Sequence, residues 1–365
     1  MGWSVKSRLI ALLFVCASIA TAQSAPVGIP AKAETEVKPP VVAKAEITPT
    51  MKRPIPLTKT MAMGRQYTKE LMTGDPKKVW PVMDAKMHEL FKEISALDTM
   101  KEQLEKQLGT EQTTLNEVTM PVMPNYSVYL RRMMMTNYSG KLALSMTFDS
   151  DGDIAGYFIT PEKNPAESIY LAYITKTKLQ LPMNGDWFVY QGGRSTFENY
   201  HAEYAIQRFA YDLTMVKNDS LWKDDPNKLE SFYAFGQTVL APGDGKVVLA
   251  DDKYDDNPVM KPSSTSPKQG NSIVIDHGNG EFSMLAHLKR GSLKVSVGDM
   301  VKVGQDIAQC GNSGNSPFPH IHYHLQTTSS WSQGEGLPTL FMDIMINRKA
   351  MATGEPSKGQ VISNK

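Results

Sequence analysis

The chain has 365 residues, with 39 Lys and Arg against 38 Asp and Glu and 41% hydrophobic side chains. That length makes room for two ordinary domains. Charge this evenly balanced, with no run of Lys and Arg interleaved with aromatics, excludes a polyanion-binding surface and nucleic acid as a partner.

At the N-terminus, Lys6 and Arg8 precede an apolar run, and Ala20-Thr21-Ala22 has the small-x-small form that a signal peptidase cuts. Residues 1–22 therefore read as a signal peptide. The run is too short to span a bilayer, so the mature chain is expected to have no transmembrane segment and to be periplasmic or extracellular, at the cell envelope. Val15 stands before Cys16 where a lipid-attachment signal wants a small residue, which argues against a lipid anchor. With that segment removed only Cys310 remains, so stability must come from a core or a metal rather than from disulfides. Residues 23–60 follow as a Pro/Ala/Lys-rich linker, too poor in apolar surface to offset the ordering of its backbone.

Residues 61–160 read as a small α+β module, cystatin-like or cone-shaped. Val79, Trp80, Met83, Met87, Leu90, Phe91 and Ile94 recur at three- and four-residue steps, predicting an amphipathic helix, with a second over 99–108. Segments 126–130, 141–148 and 154–159 have β composition, and Asp149-Ser150-Asp151-Gly152-Asp153 reads as a hairpin turn rather than a calcium loop, because it lacks the downstream bidentate Glu. His88 has no ligand-type neighbour and reads as structural. The 22 methionines scatter through apolar positions as core filler rather than as copper ligands.

Residues 161–350 read as an all-β domain, an antiparallel sandwich or flattened barrel, from many short apolar runs separated by Gly and Pro turns. Expected strands include 170–175, 187–190 and 207–216. Two long polar loops, 217–231 and 251–269, are expected to form the walls of a groove. Residues 351–365, rich in Gly, Ser and Lys, read as a flexible tail.

Chemistry concentrates in this second half. His320, His322 and His324 alternate, so an extended strand puts all three on one face. His287 ends another apolar run, and Asp212 follows the run Gln207-Arg208-Phe209-Ala210-Tyr211. A hydrolytic zinc site needs about three N/O protein ligands and one open position, plus groups that move protons without binding metal. Cys310 has no partner at a recognisable spacing and reads as a buried strand residue, and His277 reads as a turn residue.

The ordered set Val274-Ile275-Asp276-His277-Gly278, Ala286-His287-Leu288, Gly311-Asn312-Ser313-Gly314 and Pro319-His320-Ile321-His322 resembles the catalytic domain of lysostaphin/LytM-type zinc endopeptidases, over roughly residues 190–326. The resemblance implies an exported Zn2+-dependent metalloendopeptidase that cuts peptide bonds, with peptidoglycan cross-links or another peptide as substrate. It makes Asp212 and His322 metal ligands, and His320 and His287 the two non-ligand histidines, one activating water and the other steadying the tetrahedral intermediate. His324 stands where the family more often has an acidic or neutral residue, and strand alternation leaves it as either an outer partner of the site or merely a strand residue. One position departs from the family: the first ligand histidine, four residues before the aspartate, is replaced by Arg208, which cannot bind zinc while charged. Two readings follow. Either His201 supplies the third ligand from the preceding loop, or the domain is a catalytically inactive LytM-like regulator of another cell-wall hydrolase.

Overall fold

The computed structural model describes residues 52–365. The expected signal peptide and most of the expected linker lie outside the described residues. Within them, no helix is long and apolar enough to cross a membrane.

Three helices, α1 (Leu57–Met72), α2 (Ala85–Phe91) and α3 (Ser95–Leu108), precede a four-stranded antiparallel meander of β1 (Glu111–Val122), β2 (Tyr126–Met135), β3 (Tyr138–Phe148) and β4 (Ile154–Pro161). The expected linker ends early, because α1 begins at Leu57. Its buried face is Thr60, Gly64, Thr68 and Leu71, a stripe of small and polar residues that hydropathy does not reveal. The small residues are needed: a Cβ on Gly64 would fall inside the ring of Tyr129 on β2, and Thr60 donates to Ser127 at 2.8 Å. The single helix expected over 79–94 is broken in two. Pro81 lies inside a tight turn over Pro76–Val82, and Asp84 caps α2 by accepting from the Met87 N–H. Asp149 accepts from the backbone N–H groups of Asp151, Gly152 and Asp153, each at 2.9 Å, so its carboxylate is spent on the turn.

The second half is built from β5 (Trp187–Gln191), β6 (Tyr211–Thr214), β7 (Thr238–Leu240), β8 (Gly245–Asp251), β9 (Asn271–Asp276), β10 (Phe282–Leu288), β11 (Met300–Val301), β12 (Asp306–Gln309), β13 (Ile321–Gln326), β14 (Gly336–Leu337), β15 (Phe341–Ile346), β16 (Lys349–Gly354) and β17 (Val361–Asn364). All but β7 and β12, which pair with each other, join one open antiparallel sheet whose centre runs β9-β10-β13-β6-β5. The fold is mostly β, as the patterning indicates, and the large sheet is not a closed barrel. Its core packs Trp187, Tyr211, Leu213, Ile273, Ile275, Leu285, Ile321, Tyr323 and Phe341.

Three segments depart from expectation, the first being the strand expected over 207–216, which is confined to β6 after a short turn over Ala205–Gln207. Residues 170–175 form no strand but a turn and strap fastened to buried Glu281, which accepts from the Tyr173 hydroxyl and the N–H groups of Lys176 and Thr177. The expected tail is also ordered: β17 pairs with β5 and β15, Ile362 is buried, and the Asn364 side chain donates to the carbonyls of Leu181 and Met183. A short alternating strand that needs a distant partner leaves little compositional trace.

The two halves touch at the β1–β2 tip. Met123 packs with Leu221, Trp222, Phe232 and Phe318, and the Trp222 indole N–H donates to the Pro124 carbonyl at 2.8 Å.

Candidate metal centre

The centre is assembled on two walls. One is the sheet. On it Asp212 of β6 pairs directly with His322 of β13, and His322 lies opposite Ala286 of β10. The β9–β10 register slips between Leu285 and Leu288, and within that slip His287 takes a φ of 61°, a turn of backbone that re-aims its ring. The second wall is the loop before β6. There Asn199 caps a short turn over Tyr200–Glu203 by accepting from the His201 N–H, while its amide donates to the carbonyls of Gly193 and Ala210. That buried amide ties the turn to the start of β6, so His201 is held over Asp212.

The donor atoms of His201, Asp212 and His322 lie within 4.8 Å of one another, and all three residues are buried. His201 Nε2 is 3.1 Å from both Asp212 carboxylate oxygens, and His322 Nδ1 is 2.9 Å from Oδ1. The other nitrogen of His201, Nδ1, is 2.8 Å from Gln207 Oε1. An amide oxygen only accepts, so the His201 proton sits on Nδ1 and its Nε2 lone pair faces the carboxylate. The Tyr200 hydroxyl donates to Asp212 Oδ2 at 3.3 Å.

His320 and His287 border this group. His320 Nε2 is 3.7 Å from Asp212 Oδ1, and the His287 and His320 rings are 4.8 Å apart. Each has its Nδ1 against a backbone carbonyl at 2.8 Å, Ser313 for His287 and Phe318 for His320, so both donate from Nδ1 and turn Nε2 inward. The carbonyl that holds His287 is itself fixed by the Gly-Asn-Ser-Gly turn. Gly270 and Gly314 approach so closely that a Cβ on either would collide with the other segment's backbone, and the Asn257 amide donates to the carbonyls of Asn312 and Gly314.

Electrostatics agree with a cation site. Burial would raise the Asp212 carboxyl, but His201, His320 and His322 outweigh it and hold it well below the usual carboxylate range. Burial lowers His322 to about 4 despite the pull of Asp212, and burial, helped by His320 and His322, holds His287 well below the usual imidazole range. Imidazole nitrogens converging on an ionised carboxylate are the donor set that a divalent cation satisfies, and His, Asp, His is a set that suits zinc. The residues therefore fit the metal.

Arg208 is not in this group. Its guanidinium donates to the Arg194 carbonyl at 2.9 Å and lies over the Phe209 ring at 5.0 Å. His277 is tied to the Asp244 carbonyl and the Ser283 hydroxyl, away from the cluster. His88 stacks on Trp80 in the first half, and Cys310 is buried. Of the two alternatives left for His324, the geometry agrees with the outer partner: it is buried and its Nδ1 is 3.0 Å from His322 Nε2. Sequence reading did not single out Asn199, Tyr200, Gln207, Ser313 or Gln326. The signal available for Gln207 was its place beside Arg208, six residues from His201.

Residues 229–333 match the model of Peptidase family M23. Over 90 residues the chain is 34% identical to the peptidoglycan DD-endopeptidase ShyA of Vibrio cholerae, an alignment covering 25% of this chain and 17% of that protein. Over 91 residues it is 32% identical to the murein hydrolase activator EnvC of Escherichia coli, covering 25% and 18%. The chain thus spans less than a fifth of the length of these two relatives. Among solved structures it is similar to the catalytic domain of lysostaphin from Staphylococcus simulans, at 21% identity, a TM-score of 0.24 and coverage of 42% of this chain and 88% of that one. The histidines of β10 and β13 fall inside the matched residues, whereas His201 and Asp212 lie upstream of them. Residues 229–333 thus constitute a domain of the peptidase M23 family, the lysostaphin/LytM type.

Proposed function

We propose that this chain is an exported zinc-dependent metalloendopeptidase that hydrolyses peptide bonds in peptidoglycan cross-links. The observation that carries the reading is the convergence of His201, Asp212 and His322, which supplies a complete ligand set although Arg208 replaces the family's first histidine. In this reading His201 Nε2, one Asp212 oxygen and His322 Nδ1 hold the ion. When bound, zinc supplies Lewis acidity, lowering the pKa of water toward neutrality and polarising the scissile carbonyl. His320 and His287, each with its Nδ1–H tied to a backbone carbonyl, offer Nε2 lone pairs toward the same space. One takes a proton from the attacking water and passes it to the leaving amine; the other borders the space of the tetrahedral intermediate, which it would steady. The buried surroundings keep bulk water from competing for these groups.

A second reading is favoured by Arg208 and by the similarity to a protein named a murein hydrolase activator: a LytM-like regulator without catalysis. Metal content of the purified protein and digestion of isolated peptidoglycan separate the two. The peptidase reading expects one zinc per chain and release of cross-link fragments by wild type, both lost in His201→Ala and His322→Ala. Wild type without zinc and without digestion supports the regulator.

A further inference from the structure

His324 is a buried imidazole that the chemistry above does not use, and its hydrogen bonds can be read in only one direction. It lies two residues beyond His322 on β13 and shares its face, with Gln326 two residues further on. His322 Nε2 is 3.0 Å from His324 Nδ1, and His324 Nε2 is 3.0 Å from Gln326 Oε1. The Gln326 amide nitrogen is 2.7 Å from the Thr328 carbonyl oxygen and 2.6 Å from that of Ser330. All three side chains are buried, and Trp331 stands edge-on to the His324 ring with centroids 5.5 Å apart.

The order of donors follows from the far end. Backbone carbonyls only accept, so the NH2 of Gln326 must face Thr328 and Ser330, and its Oε1 must face His324. Because that oxygen also only accepts, His324 carries its proton on Nε2 and offers a lone pair at Nδ1. The 3.0 Å contact to His322 then requires a proton on His322 Nε2. In the neutral ring that a metal requires, this puts the His322 lone pair on Nδ1, the atom facing Asp212.

We propose that His324 and Gln326 are positioning residues that lock the tautomer and ring plane of His322, so that Nδ1 rather than Nε2 is presented to the metal. The relay ends on the turn over residues 327–330, which couples that surface turn to the metal ligand. The proposal rests on the zinc reading of the site, and the first arm of its test does not.

In that first arm, wild-type protein labelled with 15N-histidine is examined by long-range 1H–15N correlation, metal-free and zinc-loaded. The expected result is His324 as the Nε2–H tautomer in both. A proton on His324 Nδ1 overturns the proposal whether or not the protein binds zinc, and a wild type that binds none overturns the zinc reading instead. In the second arm, zinc affinity is measured by competition with a chelating indicator. His324→Phe fills the space without an acceptor and is expected to weaken zinc binding about 10–100-fold, the usual cost of losing a ligand's outer partner. His324→Asn keeps an acceptor near the Nδ1 position and is expected to recover most of that loss. Gln326→Leu, which spares the ring, is expected to weaken binding in the same direction. Equal affinity in the Phe and Asn variants shows a packing role only and overturns the proposal.

Discussion

The two walls of the proposed metal centre are built on different physical principles. On the sheet wall, Asp212 and His322 are a cross-strand pair whose separation follows from the antiparallel ladder, and strand alternation puts His320, His322 and His324 on one face. On the turn wall, His201 has no ladder to place it. Its position depends on the Asn199 amide and the Gln207 oxygen, two uncharged side chains. A ligand on a strand is fixed by hundreds of packed atoms, and a ligand on a turn by the few hydrogen bonds that tie the turn down.

The largest effect is expected where both walls meet. Asp212→Asn keeps the shape of the side chain and removes the charge that His201, His320 and His322 face. Zinc affinity should fall by more than the roughly 10–100-fold that loss of an outer partner costs, and peptidoglycan digestion should fall with it. Retained zinc in this variant would place the metal elsewhere.

The turn wall is tested next by pairing His201→Ala with Arg208→Ala. Removing His201 takes away one of the three proposed ligands and should abolish measurable zinc loading. Removing Arg208 should leave zinc loading intact, because the guanidinium serves the Arg194 carbonyl and the Phe209 ring. Its cost should appear as about 0.5–1.5 kcal/mol of stability in thermal or urea unfolding, the net value of one lost hydrogen bond. The reverse pattern, with Arg208 required and His201 dispensable, would dissolve the distinction between the walls.

The same difference explains what could be read in advance. The period-two pattern from His320 to His324 and the β composition of β10 are local properties of the chain, so the sheet wall was legible. The hairpin strands β2 to β4 were legible for the same reason. His201 was reached only by asking what replaces Arg208, since no periodicity marks a turn residue. Helix α1 escaped because Thr60, Gly64 and Thr68 fit against Tyr129 by being small, and β17 because its partners lie more than a hundred residues upstream or on a neighbouring short strand. His324 stayed between two readings because alternation gives a face and not a hydrogen-bond partner. Gln326, which settles the matter, is unremarkable in sequence.

A smaller effect, on stability, tests how the sheet wall is braced. Glu281, between β9 and β10, is held below the ordinary carboxyl range: burial pushes it up, but the donors from Lys176, Thr177 and Tyr173 prevail. A carboxyl lowered on folding adds stability above its unfolded pKa, about 4.3, and that contribution disappears as pH falls through the lower folded value. Glu281→Gln should therefore cost about 2 kcal/mol near pH 7, with the gap from wild type narrowing below about pH 4.3. A gap independent of pH would assign the strap to shape rather than charge.

The smallest expected effect concerns the one hydrogen bond that runs directly from the turn to the Asp212 carboxylate without using a ligand. The Tyr200 hydroxyl reaches Asp212 Oδ2 at 3.3 Å, and its ring lies 4.0 Å from that of His201. Tyr200→Phe deletes the hydroxyl and keeps the ring, so packing against His201 persists while Asp212 loses one donor. Two stronger restraints on that carboxylate remain: its place in the β6–β13 ladder and the contact with His322 Nδ1 at 2.9 Å. A bond this long should be worth no more than about 0.5–1.5 kcal/mol, so zinc affinity should fall by at most roughly tenfold. If Tyr200→Phe instead lowers affinity as far as His201→Ala does, the turn wall orients the carboxylate as well as supplying a ligand, and Asp212 is not placed by its strand alone.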